Sequence, residues 1–481
     1  MEDQHSSKKN IVILVVVVVV FIILGVSIYL LSRSKVNTPG TKSFGALFGG
    51  SATLVTPTNG SKITGSGSTG GGSDTLGGDA VEPLFRQLTT MEVAGAVAVE
   101  KAGKTYVRYI SRENGYVYDV DPKTGNTTQL TNTVIPRIYE AYFALGGNTV
   151  ILRYLKHDDL ARKDIIKTQI ADLVLPVDTT GSTTVSLGSL SSFDPQLPDN
   201  IASISISPDG TKLFYILPVN DGVSGTVVNI ATRVGVEVFR NSFSEWLPQL
   251  LDSGNIILTT KASANVEGYS YLYDTGTKTL SRLVREKIGL TTLSNRRGER
   301  MIYSENLLGV TTLGLYDKKG FELDEGGITH TAALQLATLP EKCAWSVSGV
   351  RIYCGAFAST PKAQIPDEWY QGALSFTDTF WTINTDLSDL VFLADPKREV
   401  GKTLDVVDPF LDKSEDHFFF IDKNDSTLWS LRLEKSKYTS SNELHVDTAA
   451  ATPPLTPEEM KDALGSTPTT TKKIVTPKKS K

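Results

Sequence analysis

The residues best suited to contact a ligand stand together in one aromatic and acidic segment. Trp369 and Tyr370 directly follow Asp367 and Glu368, inside a long stretch, 358–379, that separates two strand-like runs. Amphipathic aromatic side chains in a loop are typical of protein-binding hot spots and of sugar-stacking platforms. We therefore predict that Trp369 and Tyr370 bind a partner or ligand. The alternative is that Trp369 folds back against its own domain, as large apolar side chains often do.

Three basic side chains form a second candidate set. Arg112 and Lys156 follow β-rich runs, and Arg153 lies within one, near its end. We expect them near one rim of the domain, where they would meet acidic ligands. Solvated rim charges are the alternative, because charge runs are usually exposed to water.

Sequence motifs for catalysis are absent from residues 81–437. This region has no G-x-S-x-G elbow, Walker loop or dinucleotide fingerprint, and none of the five histidines belongs to an HExxH pair. We therefore expect no cofactor and no metal, and we predict that the chain has no catalysis of its own. A hydrolase that uses scattered acidic loop residues is the alternative, and it would need carboxylates clustered at the channel mouth.

The two cysteines flank a tight-turn sequence. If Ser348 and Gly349 form a two-residue turn, Cys343 and Cys354 lie directly opposite each other on one face of a hairpin, within bridging distance. A three-residue bulged turn would instead make the pairing diagonal. We predict a disulfide, which indicates an oxidising compartment. The alternative is two buried, reduced cysteines that pack as small apolar side chains.

Residues 11–31 carry no charge and are long enough to span a hydrocarbon core of about 30 Å as a helix. No small-residue cleavage site is evident, so we predict an uncleaved single-pass anchor. Lysines and arginines flank both ends and leave the orientation undecided by charge. The short head, residues 1–10, and the long downstream domain favour a cytoplasmic head and an exported domain at the cytoplasmic (inner) membrane.

Two further segments have the composition of flexible chain. Residues 32–80 are rich in Gly, Ser and Thr, and residues 438–481 are rich in Ser, Thr, Pro and Lys. Such segments bury too little apolar surface to offset the entropy of ordering. Within the tail, residues 456–464 have a capping box and predict a short helix. This helix docks on a partner in one interpretation, and in the other it docks on its own domain or frays.

Residues 81–437 contain seven copies of one hairpin pattern, a tight turn followed by a β-rich run. The turn positions are Gly103, Gly147, Gly210, Gly254, Gly298, Gly349 and Asp416. Three of the spacings are 44 residues, which is typical of a four-stranded propeller blade. The last copy ends after its third strand, whereas residues 85–89, FRQLT, repeat the end of a fourth strand. We predict an all-β, seven-bladed β-propeller in which residues 85–89 close the ring.

The motif SPDG at 207–210 and the YxYD strands at 116–119 and 271–274 resemble TolB-like propeller repeats. The resemblance covers the repeats and implies a propeller. The 48 basic and 53 acidic side chains give a net charge of −5, which removes the electrostatic basis for nucleic-acid binding.

Together these features predict a membrane-tethered, extracytoplasmic propeller that binds or scaffolds an envelope protein. The alternative is a sensor that binds a ligand or glycan through Trp369 and Tyr370.

Overall fold

Each of the seven predicted repeats folds into a four-stranded antiparallel sheet, or blade. The computed structural model describes residues 82–160, 162–176, 187–192, 197–307, 309–318, 331–359, 361–387 and 389–438. The predicted head, anchor and linker lie outside these residues, as do the tail beyond residue 438 and its short helix. Within the described ranges, no helix combines the length and apolar character needed to cross a membrane.

The strands follow one another from the inner to the outer edge of each blade. Blade 1 contains β2 (Val93–Lys101), β3 (Lys104–Ser111), β4 (Val117–Val120) and β5 (Thr127–Gln129); blade 2 contains β6 (Ile138–Ala144), β7 (Thr149–Asp158), β8 (Lys163–Val174) and β9 (Ser189–Ser192); blade 3 contains β10 (Ser203–Ile206), β11 (Lys212–Val219), β12 (Gly222–Asn229) and β13 (Gly235–Asn241). Blade 4 contains β14 (Trp246–Leu250), β15 (Ile256–Thr260), β16 (Glu267–Asp274) and β17 (Thr279–Ile288); blade 5 contains β18 (Thr292–Ser294), β19 (Arg300–Leu307), β20 (Val310–Asp317) and β21 (Thr331–Leu334); blade 6 contains β22 (Cys343–Trp345), β23 (Arg351–Phe357), β24 (Asp378–Asn384) and β25 (Asp389–Ala394).

Blade 7 takes its outer strand from the beginning of the domain. It contains β26 (Val406–Leu411), β27 (His417–Asp422), β28 (Leu428–Arg432) and then β1 (Phe85–Gln87). Phe85 lies opposite Leu431, and its ring contacts that of Phe380 edge-on at 5.2 Å. The inner strands β26 and β2 also pack together. The predicted seven-bladed ring, with closure by this segment, is therefore confirmed.

Helical structure among the described residues is confined to short segments. These are α1 (Asp367–Tyr370), α2 (Pro396–Glu399) and 3₁₀ turns at Leu145–Gly147, Pro340–Lys342 and Lys435–Lys437.

The core lies between neighbouring blades. Every residue of β27 is buried, because both faces of this strand pack against another sheet. Phe418 and Phe420 pack with Phe380 of blade 6. Phe419 packs instead with Tyr109 of blade 1. Second strands such as β27 are therefore continuous apolar runs, and this property made the repeats visible in the sequence.

The hairpin turns use the left-handed backbone region, as their glycines indicate. The six turn glycines named above have φ between 70° and 86°. In the seventh copy the matching residue is Glu415, with φ 55°, so the prediction of Asp416 is wrong by one position. The Glu415 carboxylate accepts hydrogen bonds from the Val347 N–H at 2.8 Å and the Tyr353 hydroxyl at 3.4 Å. These bonds tie blade 7 to blade 6 and offset the cost of the left-handed conformation.

The predicted disulfide is confirmed. Cys343 of β22 pairs directly with Cys354 of β23, the Cα atoms are 4.1 Å apart, and the two sulfurs are bonded. Both residues are buried between blades 5 and 6.

Candidate binding site at the channel mouth

The propeller has two different faces. Because the strands of each blade are antiparallel and sequential, the tight hairpin turns share one face. The loops between second and third strands share the other face with the connections between blades. We call this second face the channel face. It carries the long loop of blade 6, and variable loops on a rigid scaffold are where binding sites usually lie.

The blade-6 loop folds over one side of the channel mouth as a cap, which we define as residues 361–377. Its Trp369 is only 3% exposed and packs with Leu339, Phe357 and Phe376. The indole N–H donates to both carboxylate oxygens of Asp405 at 3.1 Å. The structure therefore has Trp369 folded back against its own domain, which was the alternative to a free aromatic platform.

A buried lysine explains why the cap docks there. The ammonium of Lys342, fully buried, lies 2.7 Å from an Asp378 carboxylate oxygen and also contacts Asp405. It faces the rings of Trp369 and Phe376 at 5.1 and 5.0 Å. Burial raises the pKa of Asp378 to about 6, although Lys342 opposes this shift. The cap thus covers an ion network whose charges are paired and hydrogen-bonded, as buried charges must be.

Other contacts fasten the cap to blades 4 and 5. The Asp367 carboxylate accepts a hydrogen bond from the Ala264 N–H at 2.8 Å, and the Asn306 side chain donates to the Ile365 carbonyl. Tyr370 is 41% exposed, and its hydroxyl donates to the carboxylate of Glu341. Of the predicted aromatic pair, only Tyr370 therefore offers a surface to a partner.

On the other side of the mouth a cavity of about 350 Å³ remains open between blades 1, 2 and 7. We call it the mouth pocket. Its polar lining consists of Arg112, Tyr139, Glu140, Asp408, Lys423 and Ser426, and its apolar lining of Val93, Ala94, Val407 and Ile421. These residues come from three inner strands, from the end of β27 and from two loops of the channel face. Only the closed ring brings them together.

Asp408 is held in the mouth pocket by an irregularity of β26. The pairing with β27 is interrupted between Val407 and Phe410, and Asp408 has φ 48°. Such bulges re-aim side chains and are frequent beside functional sites, as are strained non-glycine residues. Enclosure by the channel walls and, to a smaller extent, the charge of nearby Glu140 raise the pKa of Asp408 to about 6, while Arg112 opposes the shift.

Glu140 differs from Asp408 because its carboxylate is already occupied. It forms an ion pair with Arg153 and accepts a hydrogen bond from the Tyr142 hydroxyl. The second terminal nitrogen of Arg153 donates to the Ile201 carbonyl at 2.6 Å. Arg153 is thus buried as a support for the pocket wall.

The three predicted basic residues therefore lie in different environments. Arg112 lines the mouth pocket and Arg153 stands behind it, whereas Lys156 is exposed on β7 and does not line the pocket. Their role in binding stays a prediction. Sequence reasoning missed Glu140, Asp408 and Lys423. A signal existed for Asp408, because the following Pro409 interrupts a strand-like run, and a proline inside a strand indicates an edge or a bulge.

Among the described residues no group of three or more His, Cys, Asp or Glu side chains is arranged to hold a metal ion.

No protein-family model and no curated protein matches the sequence. Similar solved structures include an oligogalacturonate lyase in complex with manganese, at 10% identity and a TM-score of 0.47, covering 74% of this chain and 94% of that one. TolB from Acinetobacter baumannii has 14% identity and a TM-score of 0.35, with 70% and 79% covered. The β-propeller domain of the Trilobed protease from Pyrococcus furiosus has 9% identity and a TM-score of 0.38, with 59% and 76% covered.

One prediction is corrected by these similarities. We predicted that the chain has no catalysis of its own, and this is contradicted because an oligogalacturonate lyase, an enzyme, is among the similar folds. Its activity is not thereby carried over. The chain is a seven-bladed β-propeller that resembles TolB-like propellers in its repeats, and the similarity extends to the fold alone.

Proposed function

We propose that this chain is a membrane-tethered propeller that binds a protein partner of the cell envelope at the mouth pocket. The observation that carries this proposal is that the charged side chains of the cap network are paired, whereas those of the mouth pocket are not fully paired. At the cap, the charges of the buried network are paired with one another. At the mouth pocket, Arg112, Asp408 and Lys423 keep bonding capacity for a partner. Convergent polar groups in a concave, partly apolar site are typical of binding sites.

The tether and compartment are part of the same proposal. Residues 11–31 are uncharged and of membrane-spanning length. The disulfide between Cys343 and Cys354 supports an extracytoplasmic location, since disulfides persist in oxidising compartments. The Gly- and Ser-rich residues 32–80 would then hold the propeller away from the bilayer without fixing its orientation.

Site-specific photo-crosslinking in intact cells tests this proposal. A benzophenone amino acid replaces Glu113 or Asn424, two exposed positions beside the mouth pocket, in the full-length chain. The matched control replaces Thr277, which is exposed on the opposite face. We expect one protein to be crosslinked from both pocket positions and not from Thr277. Equal yield from all three positions, or no product from the pocket positions, contradicts the proposal.

The second candidate is a ligand- or glycan-binding sensor. The size of the mouth pocket favours it, because small-molecule sites are commonly about 300–1,000 Å³. Burial of Trp369 moves the expected binding surface from the predicted aromatic platform to this pocket. Isothermal titration with soluble fragments of envelope glycan distinguishes the two functions. A saturable heat that Arg112→Gln abolishes, with no crosslinked protein, favours the sensor.

A further inference from the structure

The cationic side chains of the mouth pocket are only partly used by the protein itself. One terminal nitrogen of Arg112 donates to the Ser426 hydroxyl at 3.3 Å, and its Nε has no hydrogen-bond partner among the described residues. The ammonium of Lys423 lies 5.3 Å from the centre of the Trp369 ring. In the described part of the chain this ammonium donates no hydrogen bond, and the charge of Asp405 acts on it only at longer range. Both groups can still donate to an anion.

Asp408 supplies an unused acceptor in the same cavity. Within the described ranges its carboxylate has no hydrogen bond or ion pair, and only the longer-range charges of Glu140 and Arg112 act on it. The Asp408 side chain is exposed to water within the channel, so its carboxylate is accessible to a ligand. A ligand that donates to Asp408 would replace water there, and the left-handed backbone of β26 keeps the side chain in place before the ligand arrives.

The charged side chains without partners determine which ligand charges the mouth pocket favours. Glu140 is neutralised by Arg153, so the available charges are two cations, Arg112 and Lys423, and one anion, Asp408. A purely anionic ligand would approach the Asp408 carboxylate, and a purely cationic ligand would approach Arg112. A molecule with one group of each sign complements all three side chains.

We propose that the mouth pocket binds a small zwitterion of the amino-acid class, with its carboxylate on Arg112 and Lys423 and its ammonium on Asp408. The guanidinium fork suits a carboxylate geometrically. The cavity of about 350 Å³ leaves room for a side chain against Val407 and Ile421. This inference rests on the second candidate under the proposed function, the ligand-binding sensor, because it takes the mouth pocket as a small-molecule site.

Calorimetry on the full-length protein in detergent tests the proposal. Thermal shift with each of the twenty free amino acids selects the strongest binder. Isothermal titration then compares that amino acid with its N-acetyl derivative, which lacks the ammonium, and with its carboxamide, which lacks the carboxylate. We expect each derivative to bind at least about tenfold more weakly, which corresponds to one lost charged contact of about 1.4 kcal/mol.

Two variants assign the contacts. Asp408→Asn and Arg112→Gln should each weaken amino-acid binding by about tenfold or more, whereas Asp221→Asn and Arg285→Gln, exposed controls away from the pocket, should bind as the parent does. Asn tolerates the left-handed backbone, so Asp408→Asn keeps the fold. No binding by any amino acid, or equal binding of the derivatives, overturns the proposal. The photo-crosslinks from Glu113 and Asn424 would persist in that case if the protein-binding function is correct.

Discussion

At the cap, Lys342 contacts the carboxylates of Asp378 and Asp405, and Trp369 donates to Asp405. At the mouth pocket, Asp408 is exposed within the channel and Lys423 is half-buried, and neither side chain forms a hydrogen bond or ion pair among the described residues. A buried network of paired charges favours one arrangement of the chain. Unsatisfied charged groups in a cavity are instead candidates for function. We therefore interpret the charges under the cap as structural and those of the mouth pocket as functional.

The largest expected effect comes from removing the central cation of the cap. Lys342→Met leaves Asp378 and Asp405 buried and uncompensated, so we expect a loss of about 3–5 kcal/mol in the free energy of unfolding. Urea denaturation at pH 7 measures it. Lys156→Met, the same change at an exposed position, should cost under about 0.5 kcal/mol. Equal losses of unfolding free energy in the two variants would contradict a structural role for Lys342.

The two aromatic side chains of the cap, one buried and one half-exposed, should also differ in their contribution to stability. Trp369→Ala creates a cavity and removes a donor to Asp405, and we expect it to cost about 3–5 kcal/mol. Tyr370→Ala alters a half-exposed side chain with one hydrogen bond and should cost about 1 kcal/mol. Thermal unfolding of both variants in one buffer gives the ranking. If Tyr370→Ala were the more damaging, the assignment of Trp369 as the structural residue would be wrong.

The disulfide belongs to the structural side of the comparison, because Cys343 directly follows Lys342 of the cap network. The double variant Cys343→Ala/Cys354→Ala should lose about 2–4 kcal/mol through release of a loop that the bond closes in the unfolded chain. Its unfolding should no longer depend on reductant, whereas that of the parent should. A parent protein whose urea midpoint is unchanged by dithiothreitol would contradict a stabilising disulfide.

The smallest change in the free energy of unfolding is expected at the mouth pocket, where the substitution should stabilise the fold. The pKa of Asp408 is raised to about 6, so the folded state binds its proton more tightly than the unfolded state, where the pKa is about 3.9. This contribution to stability is therefore lost as the pH rises from about 4 through about 6. Because Asp408 is exposed within the channel, solvent limits the effect, and Asp408→Asn should stabilise by at most about 1 kcal/mol at pH 7. A destabilisation above 1 kcal/mol at pH 7 would place Asp408 among the structural charges.

Local patterns in the sequence were sufficient for most of the fold. The turn glycines and apolar second strands predicted seven blades, and the hairpin arithmetic placed Cys343 opposite Cys354. Closure by Phe85–Gln87 followed from a copied strand end. The turn of blade 7 was misplaced by one residue, because Glu415 gains hydrogen bonds from blade 6 that no local pattern reveals.

The candidate site was much less accessible to sequence reasoning. Burial of Trp369 depends on Asp405, which lies 36 residues further along the chain. The mouth pocket depends on ring closure, which brings Asp408 of the last blade beside Arg112 and Glu140 of the first two. Contacts between residues that are about 300 positions apart leave no signature in a single sequence.

Affinity capture after crosslinking in intact cells tests the central claim, that the mouth pocket and not the cap binds the partner. The double variant Arg112→Gln/Asp408→Asn is compared with Tyr370→Ala, and both are first shown to unfold as cooperatively as the parent. We predict that the pocket variant loses the captured protein and that Tyr370→Ala retains it. Loss from Tyr370→Ala alone, with full capture by the pocket variant, would contradict the account.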